Sequence, residues 1–126
     1  MDFQKLKEYT PAIARWGVGV VFFIFGISQL LNPQSWMAYL PDFALTIGVS
    51  ATNLIYMNGV FDLAIGILLL FGIFTRVVSL IGILHIIGII ISIGYNDVAV
   101  RDFGLLIVLV SVFLHGADKL CLVKRF

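Results

Sequence analysis

The chain alternates long apolar runs with short polar breaks. Four runs reach the length of a bilayer crossing, at about residues 12–31, 53–74, 77–95 and 102–120. Roughly 20 helical residues cover the ~30 Å of hydrocarbon. A polar leader, Met1 to Thr10, carries Lys5, Lys7 and Glu8. Pro11 suits a first helical turn, and the first run stops at Asn32-Pro33. Residues 33–51 hold Trp36, Tyr39, Pro41 and Asp42 among apolar residues. Two prolines and an aromatic pair predict an interfacial or shallow re-entrant segment, with Trp36 and Tyr39 as interfacial anchors. Thr75-Arg76 predicts a tight turn between the second and third spans. Asn96-Asp97 opens a short loop that holds Arg101 and Asp102. These charges read as solvated, with Asp102 at the start of the fourth helix.

The pattern therefore predicts an all-α fold: a polytopic membrane protein whose single domain, residues 1–126, is a four-helix transmembrane bundle. Composition points the same way. The chain is 61% hydrophobic and 12% charged, with mean hydropathy +1.11. A soluble domain of this size buries too little surface to hide that much apolar area. The predicted partner is the lipid bilayer, and a net charge of +1 argues against nucleic acid. A single cysteine, Cys121, excludes an internal disulfide or a Cys-x-x-Cys pair, and it reads as a passive residue near a helix end. The first run has no small-x-small cleavage pattern, so it reads as a retained helix.

Basic residues set an expected orientation. Lys5, Lys7, Arg15, Arg76, Lys119, Lys124 and Arg125 fall on one side of a four-span topology, and Arg101 on the other. The asymmetry predicts both termini in the cytoplasm.

The second span carries the most informative residue, Asp62. An acid at such depth costs at least a few kcal/mol and faces a partner or a wet cavity. Asn58, Asp62 and Gly66 recur every four residues, so they share one helical face, read as turned into the bundle. Asp62 is a candidate for binding a proton or a polar ligand head; the plainer alternative is a structural acid bonded to Asn58, Gln29 or Tyr56. His85, midway along the third span, is a candidate proton shuttle or a hydrogen-bond partner for a quinone carbonyl. Simple helical rise puts Asp62 ~21 Å from the cytoplasmic end and His85 ~8 Å nearer to it, which leaves a direct pair unassured. Ser111, His115 and Asp118 share a face of the fourth span. With Arg15 and Arg76 at the same level, His115 and Asp118 form either a salt-bridge clasp that sets helix order or a rim for substrate or partner. No phosphate-binding glycine loop and no metal-ligand spacing is present, so neither metal nor haem is predicted.

Three blocks carry a resemblance. Ala14 to Leu30 resembles an Arg-led first helix ending in Gly-x-x-Lys-Leu. Asn58 to Arg76 resembles a Glu-Leu-x-x-Gly-x-Leu-Leu-x-x-Gly-x-x-x-Arg signature. Leu114 to Asp118 is similar to a closing Gly-x-x-x-x-Asp stretch. Together they resemble the DoxX/DoxD-like family of small four-helix membrane proteins. Gln29 stands where that family often has Lys, Asp62 stands where it often has Glu, and the Gly116–Asp118 spacing is compressed. The resemblance implies a prokaryotic plasma-membrane protein associated with membrane redox chemistry. On that reading the chain is a membrane subunit of a quinone-linked oxidoreductase. Asp62 and His85 would be the catalytic pair, Gln29 and Asn58 would help hold a quinone, and electrons would arrive from a soluble or membrane redox partner. Alternatives are a non-catalytic anchor or assembly subunit, its basic rim holding a partner protein, or a small proton or anion transporter acting as a homo-oligomer.

Overall fold

The computed structural model describes residues 3–40, 46–94 and 97–123, and these are all helix, turn and irregular chain with no strand. The expectations for Pro41, Asp42, Tyr95, Asn96, Lys124 and Arg125, and for the Tyr39 side chain, lie outside what is described. A short helix α1 (Phe3–Leu6) and a turn of 3-10 helix (Lys7–Tyr9) lead into α2 (Thr10–Leu31). A second 3-10 segment (Pro33–Tyr39) follows, then α3 (Ala51–Phe71), α4 (Thr75–Ile93) and α5 (Asp97–His115). Four helices are long and apolar enough to span a membrane. The first three agree with the sequence pattern to within a few residues. The fourth begins five residues earlier than expected and ends at His115, so Arg101 and Asp102 belong to the helix and Asp118 does not.

Local chemistry sets the helix ends. Pro11 occupies the first turn of α2, where a missing N–H costs nothing. The Ser50 side chain caps α3 by accepting from the Asn53 amide. At the other end of α3, Gly72 takes φ +70°, while the Ile73 amide donates back to the Leu68 carbonyl and the Gly72 amide to that of Leu69. This is a Schellman termination, and it favours glycine because a side chain is strained at that φ. Phe74, also at positive φ, then starts α4.

Successive spans run antiparallel. One end of the bundle gathers the α2 start, the α3–α4 turn and the residues after α5; we call it the termini end. The other, the loop end, gathers the α2–α3 connection and the start of α5. The tightest packing is between α2 and α3. A Cβ on Gly26 would lie 2.5 Å from the Leu63 amide nitrogen, and one on Gly66 would lie 2.5 Å from that of Phe23. Gly59 and Gly19 make further close approaches at the same interface. Apolar burial gives lipid-immersed helices little reason to associate, so close backbone packing at small residues carries this contact. Phe22, Ile65, Leu69, Val78, Ile86 and Leu109 fill the centre from all four spans. The outward faces remain apolar and exposed, as a lipid-facing surface requires.

Candidate functional site

The α2–α3 contact places three polar side chains together. Gln29 Nε2 donates to Asp62 Oδ2 at 2.8 Å. Asn58 Nδ2 donates to Gln29 Oε1 at 2.7 Å and to Asp62 Oδ2 at 3.2 Å. The result is a closed triangle in which Gln29 and Asp62 are both buried. Gly59 lies against Gln29 Cβ and makes this approach possible.

The other carboxylate oxygen is differently placed. Asp62 Oδ1 lies 3.1 Å from His85 Nε2. The distance alone would make an ion pair, but the alignment is not that of a hydrogen bond, and both atoms are buried without a hydrogen-bond partner. Alignment decides here, because a hydrogen bond weakens steeply as it bends. The His85 ring leans on Phe61 with centroids 4.6 Å apart. Two orphaned polar atoms cost about 1–3 kcal/mol each and call for an explanation.

The direct Asp62–His85 approach corrects the depth expected from sequence. Counting uniform rise through the α3–α4 connection separated the two by ~8 Å. However, α3 ends at Phe71 and α4 begins at Thr75, so the turn between them adds no rise. From these ends, nine residues back to Asp62 and ten forward to His85 give ~13.5 and ~15 Å, nearly the same level.

Both groups line a cavity of about 540 Å³ that reaches toward the loop end. Its walls are mostly apolar, with Phe22, Phe25, Ile55, Leu84 and Leu105 among them. Trp36 closes one side. Its indole N–H donates to Ser28 Oγ at 3.0 Å, and its ring meets Phe25 edge-on at 5.5 Å. Trp36 therefore folds back over α2 rather than serving only as an interfacial anchor.

The cavity also includes two residues that sequence reasoning assigned to solvent, Arg101 and Asp102. Asp102 is buried, Arg101 Nη2 reaches its Oδ1 at 3.3 Å, and the guanidinium stands 4.9 Å from the Phe25 ring centroid. The signal was present: Asp102 shares a helical face with the buried Ala99, Leu109 and Val112. Placing the helix start at Asp102 hid it. The cavity thus brings Gln29, Asn58, Asp62 and His85 together and adds a second carboxylate and a half-exposed cation.

The remaining sequence candidates gather at the termini end. Arg15 is fully buried; its Nε donates to Asp118 Oδ2 at 2.7 Å and its Nη2 to Oδ1 at 3.2 Å. Its Nη1 donates to the carbonyls of Leu69 and Leu70 at the end of α3. Asp118 Oδ1 also accepts from the Leu120 amide at 2.9 Å. Burial opposes ionisation of Asp118, but these hydrogen bonds and the Arg15 charge win and hold its carboxyl below the ordinary value. Arg76 instead donates to the Phe113 and Leu114 carbonyls, closing the C-terminal end of α5. His115 Nδ1 lies 3.4 Å from the Gly116 carbonyl oxygen. The four groups do not form one network, and Arg15 and Asp118 are too buried to serve as a rim. Buried Cys121 is held between Thr75 Oγ1 and the Asp118 amide, each 3.3 Å from its sulfur.

Among the described residues, no three His, Cys, Asp or Glu side chains converge as a metal site. No curated protein and no solved structure matches the chain. A family model described as DoxX matches residues 10–94, from the first turn of α2 to the end of α4. The match covers well over half of the sequence and includes Gln29, Asn58, Asp62 and His85, while Arg101, Asp102 and Asp118 lie beyond it. With four helices fit to span a bilayer, the chain is an integral membrane protein that belongs to the DoxX family.

Proposed function

We propose that the chain is the membrane subunit of a quinone-linked oxidoreductase and that its cavity holds the quinone head beside Asp62 and His85. The supporting observation is the pair of orphaned atoms, Asp62 Oδ1 and His85 Nε2, within a largely apolar space. A quinone head is a flat apolar ring with two carbonyl acceptors. About 540 Å³ lies within the range of small-molecule sites, which are apolar with a few convergent polar groups. When bound, such a group accepts two electrons and two protons.

The chain's own residues have distinct tasks in this reading. His85 Nε2 donates to one ring oxygen and is a proton source there. Asp62 Oδ1, turned to the same space beside Nε2, is the second polar contact to the head and the atom at which protons are exchanged with it. Gln29 and Asn58 fix the Asp62 carboxylate through Oδ2 and leave Oδ1 for this exchange. Phe25, Trp36 and the aliphatic walls keep bulk water from the ring. Electrons come from a redox partner protein. The basic residues at the termini end, Lys5, Lys7, Arg76 and Lys119, against Arg101 alone among the described cations at the loop end, favour a topology with the termini in the cytoplasm. The cavity then lies toward the outer half of the plasma membrane.

Quinones quench tryptophan fluorescence, and Trp36 lines the cavity while Trp16 lies at the other end. Titration of a Trp16→Phe protein with a benzoquinone should quench Trp36 saturably. Asp62→Asn and His85→Ala should each weaken that binding about tenfold or more, the worth of one charge-assisted hydrogen bond. Unchanged affinity in both variants would remove the site.

A further inference from the structure

A second hollow, about 380 Å³, lies on the outer surface between α2 and α5. Gly104 and Val108 line its α5 side and Ile24 its α2 side. It shares four residues with the main cavity: Val21, Phe25, Arg101 and Leu105. Those shared side chains are therefore the wall between the polar site and the lipid. Within that wall Arg101 stands over Phe25 with its side chain 46% exposed. A charged residue held there by stacking and by neighbouring Asp102 can swing toward headgroups, because a long arginine stem lets the charge reach water. From Arg101 the hollow descends along α5 past Gly104 to Val108, ~10 Å of helical rise into the hydrocarbon. Gly104 contributes no side chain, and a Cβ there would meet nothing within 4 Å.

We propose that the ligand of the cavity carries a polyprenyl tail, that the tail lies in the α2–α5 groove, and that the Arg101–Phe25 stack is the threshold between head and tail. This rests on the quinone-head reading above and names the substrate class as membrane-borne, long-tailed quinones that enter sideways from the bilayer. The commitment to a tail follows from continuity. The groove shares its inner wall with a cavity built for a polar head, it is apolar, and it points along the acyl chains. A bulk phospholipid chain would also wet the groove, but it would have no head in the cavity and would give no coupling between the two.

The test uses the full chain in nanodiscs, with a tailless benzoquinone and the same ring bearing a polyprenyl tail, at concentrations expressed per lipid. Trp36 quenching in the Trp16→Phe background reports both. The tail exchanges lipid contacts for protein contacts, so its advantage comes from packing alone and should be on the order of tenfold. Gly104→Leu fills the groove and should abolish the preference for the tailed probe while leaving the tailless probe unchanged. Val108→Phe should do the same from the deeper end, which covers misfolding of either variant. Equal affinity of the two probes in the parent protein would overturn the groove and leave the head site standing. So would a preference that survives both variants. Binding of neither probe by the parent protein would defeat the quinone reading itself, and this proposal with it.

Discussion

Among the described residues, the termini end and mid-bundle both bury ionisable groups, and the two regions treat them in opposite ways. At the termini end, Arg15 and Asp118 are bonded on both sides: guanidinium to carboxylate and to two α3 carbonyls, carboxylate to a backbone amide as well. At mid-bundle, Asp62 is bonded through one oxygen only, while its other oxygen and His85 Nε2 face each other without a hydrogen bond. Both arrangements cost desolvation. The first recovers it through a complete set of partners and so behaves as a fastening. The second leaves unused bonding capacity facing a cavity, which suits a group that must accept a ligand or pass a proton. Burial of charge in a membrane is therefore not enough to mark a site; incomplete satisfaction is the sharper criterion.

Several substitutions test this contrast. The largest effect should come from Arg15→Ala, which strands a buried carboxylate. A loss of about 3–5 kcal/mol is expected in denaturation by SDS, with much of it recovered in the Arg15→Met, Asp118→Leu double variant. Next comes Gly66→Val. Its side chain meets the α2 backbone and should part the helices at a cost of about 1–3 kcal/mol or more, loosening the Gln29–Asp62 contact at the same time. Acid should act on the fastening. The Asp118 carboxyl titrates lower in the folded protein than its unfolded value of ~3.9, so its contribution is complete above that value. As pH falls from about 4 through the lower folded value, the contribution is lost, and Asp118→Asn should flatten this acid limb of a stability profile. At the other site, Asp62→Asn should change stability by no more than about 1 kcal/mol, because an amide can stay in the same triangle. Smallest of all, Lys119→Ala removes an exposed pair with Glu8 and a contact over the Tyr9 ring, and should move the thermal midpoint very little. If Asp62→Asn proved more destabilising than Arg15→Ala, the two regions would have to exchange roles.

Much of this was legible in the sequence, and the misses share a cause. The four spans follow from apolar length, which lipid enforces more strictly than water does. Asn58 and Asp62 follow from spacing on a single helix. Gln29 was among the three partners expected for Asp62, and it is the one on α2 that the structure supplies; the depth of that approach was hidden, since it depends on which glycines meet. The level of His85 was misjudged because a glycine-terminated turn was counted as helix. Asp102 was missed because the start of α5 was set by its charges, although its apolar face begins earlier, at Ala99. In each case the local pattern was sound. What failed was the boundary, and boundaries set which residues of different helices stand at the same height.

The Arg15–Asp118 bond joins residues 103 positions apart. On the ribosome, the first helix therefore enters the translocon long before its counter-ion exists. Until the last helix has been threaded, the guanidinium must rest among headgroups or on the Leu69 and Leu70 carbonyls of the newly arrived α3. Synthesis as far as Asp118 is thus recorded chemically inside the bundle. A nascent chain that stalls before Asp118 carries an uncompensated cation in its first helix.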